Sequence, residues 1–118
     1  MLTDSEFVAA ADATLDAIGR ALDAALARSD VDLDWNLNDG ILTIEADDGG
    51  KLIVNRHVPN REIWVAARAG GYHFRPADGR WRDTRNADEL AAALTRLVRS
   101  QTGLDADFGT LAAPQARA

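Results

Sequence analysis

The sequence predicts an α/β (α+β) two-layer sandwich, with N- and C-terminal helices packed on one face of a five- to six-stranded antiparallel sheet. Three observations predict it. The 118 residues suffice for one compact domain and not for two of ordinary size. Apolar residues recur at helical spacing only near the two ends of the chain. Between the ends, short alternating runs are joined by turn signals too brief to hold crossover helices, which leaves an antiparallel meander.

The first helix opens at Thr3, which forms a capping box with Glu6. Phe7, Ala11, Leu15, Ile18, Leu22 and Ala25/Leu26 follow in steps of three and four, a single apolar face running to about Arg28. Asp30–Leu37 then alternates strictly and reads as a half-buried strand, with Val31, Leu33, Trp35 and Leu37 toward the core. Asn38-Asp39-Gly40 is a hairpin signal into Ile41–Ala46, and Asp47-Asp48-Gly49-Gly50 turns into Lys51–Arg56. Pro59 separates that run from Arg61–Arg68. Gly70-Gly71 turns into Tyr72–Arg75, and Pro76–Gly79 into a short strand around Trp81. The second helix is expected to begin with Asn86 as N-cap and Asp88-Glu89 in its first turn, to bury Leu90, Ala93/Leu94 and Leu97/Val98, and to stop at Gly103.

Composition excludes several classes of function. An apolar fraction of 47% and a charged fraction of 27% are those of an ordinary globular domain. No apolar run is long enough to span a membrane, and the N-terminus lacks the basic start and apolar stretch of a secretory signal. With no cysteine there is no disulfide, thiolate metal site or cysteine nucleophile. A cytoplasmic location is the expectation. A net charge of −6 argues against nucleic-acid binding. The charge is also polarised, since residues 1–50 carry 12 acids against two bases, and residues 51–118 carry 11 bases against seven acids. Such a split describes a surface for partners.

The acids are ordered. On a helical wheel Asp12, Asp16 and Asp23 form a narrow stripe beside the apolar face. A solvated helix face is the ordinary explanation of such a stripe. Asp30, Asp32 and Asp34 then fall on one side of the first strand, where aspartate is a poor strand former and like charges repel. That cost favours a use for the negative field. The spacing begins like a calcium loop, but Trp35 stands where the turn needs glycine and Ile41 where the bidentate glutamate belongs. No phosphate-cradling glycine loop and no nucleophile elbow is present, and His57 and His73 lack metal-ligand spacing. His73 reads as structural and His57 as a polar surface group. No active site emerges, so the chain is not expected to be an enzyme.

The acidic helix and strand, followed by Asn55-Arg56-His57-x-Pro59-x-x-Glu62-Ile63-Trp64-Val65-Ala66 and Gly70-Gly71-Tyr72-His73-Phe74, resemble the frataxin family, especially its bacterial branch. The likeness covers about residues 3–104, nearly the whole of a domain expected to span residues 1–104. Residues 105–118 have no counterpart and are expected to be a loosely ordered tail. The resemblance implies an acidic ridge that binds iron weakly and docks on a cysteine desulfurase, near the iron–sulfur scaffold protein. By position it implies metal-binding roles for Asp23, Asp30, Asp32 and Asp34, with Asp12 and Asp16 extending the stripe. It implies partner-binding roles for Trp64, Asn55 and Arg56. The family's glutamines are replaced by His57 and Glu62, and the ridge is thinned at Gly19, Arg20, Ala24, Leu26 and Arg28.

Carboxylate ligands suit hard cations, and on a convex surface they hold them loosely. The expected function is therefore a non-enzymatic, iron-binding regulator of iron–sulfur cluster assembly, monomeric without iron. One alternative is an iron-storage or ferroxidase-like protein that oligomerises with iron; another is a generic acidic interaction module. Trp64 is expected on the open sheet face if Ile63 and Val65 point inward. Trp35 and Trp81 are expected to be structural.

Overall fold

The computed structural model describes residues 2–115. Its elements are α1 (Asp4–Leu26), β1 (Leu33–Asn38), β2 (Ile41–Ala46), β3 (Lys51–His57), β4 (Glu62–Ala67), β5 (Gly70–Ala77), β6 (Arg80–Asp83) and α2 (Leu90–Thr102). The sheet is a six-stranded antiparallel meander in the order β1 to β6, and the two helices pack against it. Thus the α+β sandwich is the fold observed. No helix among the described residues is long and apolar enough to cross a membrane.

Local chemistry sets the boundaries of α1. The Thr3 hydroxyl accepts from the Glu6 amide at 3.1 Å and the Glu6 carboxylate accepts from the Thr3 amide at 3.1 Å, completing the capping box. Phe7, Ala11, Leu15, Ile18, Leu22 and Ala25 are buried. At Gly19 the Trp35 ring lies directly on the helix, and a Cβ there would stand 2.5 Å from it. Trp81 is fully buried, donates its indole N–H to the Thr14 hydroxyl at 3.0 Å and meets Phe7 edge-on at 6.0 Å.

The hairpins β1–β2 and β5–β6 close through two-residue loops. Asp39 and Gly40 (φ 49° and 76°) and Asp78 and Gly79 (φ 55° and 74°) occupy the left-handed positions that type I′ turns require.

Three expectations are corrected. The first strand begins at Leu33, not Asp30, because β2 ends opposite Leu33 at Ala46. There the chain turns, Gly49 donating to the Ala46 carbonyl, so β2 offers no strand partner to the residues before Leu33. The second helix begins at Leu90. Asn86 does not cap it; its side chain accepts from the Asp88 amide at 3.0 Å, while Asp83 accepts from the Arg85 amide at 2.7 Å. These local turns consume residues 83–88 and leave Asp88 and Glu89 ahead of the helix.

Finally, the chain after residue 104 is packed through Ala113. Leu104, Ala106, Phe108, Leu111 and Ala113 are buried, Ala112 bridges to Arg80, and Ala113 donates to the Gly79 carbonyl at 2.9 Å. This segment covers the outer edge of β6, which otherwise presents unpaired backbone groups. The last three residues of the expected tail lie outside the described residues.

Candidate functional site: an acidic ridge and an aromatic sheet face

The ridge acids come from three segments. Asp16 and Asp23 project from α1 and are exposed; Asp30 and Asp32 lie in the α1–β1 connection, and Asp34 stands on the outer side of β1. Asp23 accepts the Trp35 indole N–H at 2.8 Å, which ties the helix portion of the ridge to the strand portion. The register places Glu45 directly opposite Asp34. Asp32, Asp34, Glu45 and Asp47 together line a shallow concavity of about 170 Å³. Glu45 and Asp47 were not among the sequence candidates. The Asn38-Asp39-Gly40 turn contained the signal for Glu45, since a two-residue loop pairing Asn38 with Ile41 fixes Asp34 against Glu45. Like charges opposite each other destabilise a sheet. Among the described residues, no group of three or more acidic or imidazole side chains is placed to hold one metal ion. Carboxylates spread in this way suit a water-rich, exchangeable cation.

Asp12 stands apart from the other five aspartates. Its carboxylate is paired with the Arg56 guanidinium, which also reaches Asp39 at 3.4 Å. Arg56 lies across Gly40, where a Cβ would come within 2.6 Å of the guanidinium. Consequently Arg56 does not share a surface with Asn55 and Trp64. Asn55 and Arg56 are consecutive in β3 and must point to opposite sheet faces. Arg56 turns to the helix side, and Asn55 sits directly opposite Trp64 on the open side.

Ile63 and Val65 are buried toward the helices, which puts Trp64 on the open face. Both faces of its ring are covered. His57 stacks on it at 3.6 Å between centroids and 9° between planes, and His73 at 4.3 Å and 7°. Beneath this stack Glu62 is only 3% exposed. It accepts the Trp64 indole N–H at 2.8 Å through one oxygen and Arg75 at 2.9 Å through the other, with His73 Nδ1 3.7 Å away. Burial acts to raise the Glu62 pKa, but hydrogen bonds from Trp64 and Arg75 and the nearby positive charge outweigh it, so the carboxyl lies below its ordinary 4.5.

A depressed carboxylate stabilises the fold above its unfolded pKa and ceases to do so as pH falls through the folded value. Below about pH 4.5 the melting temperature is therefore expected to drop more steeply for the native chain than for Glu62→Gln, which keeps an acceptor for Trp64 but does not titrate. Thermal melts at stepped acid pH check this, and parallel slopes would contradict it.

With the ridge and the aromatic face placed, comparison with known proteins becomes specific. The model of the frataxin-like domain matches residues 1–104. The chain belongs to the frataxin family. The iron–sulfur cluster assembly protein CyaY of Ralstonia nicotianae is 50% identical to this frataxin over 104 residues, covering 88% of this chain and 92% of the relative. The protein of the same name from Paraburkholderia phymatum is 47% identical over 102 residues, covering 86% and 93%. Among solved structures, the frataxin of Psychromonas ingrahamii superposes with a TM-score of 0.82 at 31% identity, covering 91% of this chain and 98% of its own. A trimeric frataxin of Saccharomyces cerevisiae, complexed with ferrous iron, gives 0.70 at 28% identity, covering 80% and 86%.

Proposed function

We propose that this frataxin regulates iron–sulfur cluster assembly without itself catalysing a reaction. The ridge of Asp16, Asp23, Asp30, Asp32 and Asp34, extended by Glu45 and Asp47, binds iron weakly and docks on a basic surface of a cysteine desulfurase. Asn55 and Trp64 contribute the neighbouring contact, close to the scaffold protein. Asp12 contributes little to either, its charge being offset by Arg56. The observation that carries the reading is the concavity at the β1–β2 edge, where four carboxylates meet and, among the described residues, none forms an ion pair, although Lys51 stands opposite Glu45 in the register. The names of the relatives support the assembly role, and iron enters as cargo or effector in the cytoplasm.

Paramagnetic line broadening tests the iron assignment. Added ferrous iron or cobalt is expected to broaden first the amide signals of Asp30, Asp32, Asp34, Glu45 and Asp47, then Asp16 and Asp23, in fast exchange, with Asp12 least affected. Broadening centred on His57 or His73 would contradict the ridge.

A further inference from the structure

The two imidazoles on Trp64 are not equivalent. His73 is about half exposed, and its Nδ1 faces the Glu62 carboxylate, so a proton taken up there finds a negative partner. His57 Nδ1 is buried and has no hydrogen-bond partner. In the neutral ring with its proton on Nε2, that nitrogen is a lone pair, and one acceptor bond goes unmade. In the imidazolium it is a buried N–H carrying part of a positive charge, with nothing to receive it.

We propose that His57 is a proton-operated cover on Trp64. It stays seated as a neutral ring and turns off the indole when protonated, so this face of Trp64 opens as pH falls. The neighbouring charges do not remove that cost. Glu62 is the cross-strand partner of His57, but its two oxygens are already engaged by Trp64 and Arg75. Arg75 on β5 is a cation on the same face, whereas Arg61 in the following turn reaches the helix side, where it is paired with Asp4 of α1. Attraction of an exposed imidazolium to the indole face is a small effect beside a buried, unpaired N–H. His57 is the last residue of β3 and half buried, so a side-chain rotation carries its ring to water while the strand stays paired. His73, held over Glu62, keeps the other face covered. The device bears on docking only through the reading that assigns Trp64 a partner; the cover itself does not depend on it.

Acrylamide quenching of tryptophan emission tests the cover in the folded chain without any partner. In a Trp35→Phe background the buried Trp81 is shielded, and the quenching reports Trp64. Between pH 8 and pH 5, the interval in which histidine changes charge, the quenching constant is expected to rise about twofold as one of two ring faces is uncovered. His57→Phe keeps a ring on the indole without a titrating nitrogen and is expected to stay low and flat. If that variant does not fold, His57→Gln carries the comparison, with quenching high at every pH. A flat or falling constant in the parent, or an unchanged pH response in either variant, would overturn the proposal.

Discussion

Trp81→Ala is expected to lower the free energy of unfolding by about 3–5 kcal/mol, the largest stability effect of any substitution considered. Trp81 is fully buried and joins three parts of the fold. Its indole N–H meets Thr14 of α1, its ring meets Phe7 edge-on, and its strand is the edge covered by the segment around Ala112. Truncation opens a cavity between the first helix and the last strand and leaves the Thr14 hydroxyl without its donor. That hydroxyl still donates to the Ala10 carbonyl at 3.0 Å, so the cavity dominates the loss. Urea unfolding followed by circular dichroism measures it. A loss below about 1.5 kcal/mol, the range of well-tolerated core swaps, would show that the core closes over the gap.

Arg56→Ala has the second-largest expected effect, and it acts on two properties at once. The guanidinium is mostly buried, with its side chain 21% exposed, and connects α1 to the β1–β2 turn through Asp12 and Asp39. Asp12 is 46% exposed and Asp39 89%. Solvent therefore screens both pairs, and the expected loss is about 1–2 kcal/mol, much of it packing of the side chain over Gly40. At the same time Asp12 loses its counter-charge and becomes available to cations. The variant is expected to be less stable without metal, yet to gain more in melting temperature than the native chain from the same millimolar divalent cation, because ligand binding to the native state adds to stability. Paired thermal melts with and without the cation check both parts, and an equal gain in the two proteins would contradict the assignment of Asp12.

Local rules made α1 legible: the Thr3–Glu6 capping box and the Phe7-to-Ala25 stripe require no tertiary information. The hairpins were legible because Asp39-Gly40 and Asp78-Gly79 adopt the turn geometry their residue types favour. The outward orientation of Trp64 was expected on condition that Ile63 and Val65 point inward, and chiefly through the family resemblance. Other features escaped for identifiable reasons. Arg56 was grouped with Asn55 and Trp64 through the family resemblance, although strand alternation already separates it from Asn55. The start of α2 was misplaced because Asn86 and Asp83 satisfy nearby amides in turns, which composition alone does not distinguish from a helix cap. Alanines and Pro114 hid the packing of residues 104–113, yet Leu104, Ala106 and Phe108 alternate with Asp105 and Asp107 as a half-buried extended segment should. The His57–Trp64–His73 stack depends on the register of two hairpins and on three side-chain rotamers together, and no single-residue pattern encodes it.

The ridge, as the proposed docking surface, is tested most directly by association kinetics with a purified bacterial cysteine desulfurase at low and high ionic strength. The native chain is compared with Asp30→Asn/Asp32→Asn/Asp34→Asn. Removing three exposed charges leaves the core untouched and weakens long-range attraction, so association of the triple variant is expected to slow by about tenfold at low salt. Its salt dependence should flatten while dissociation changes little. Association at the native rate with the native salt dependence would contradict the ridge as the docking surface.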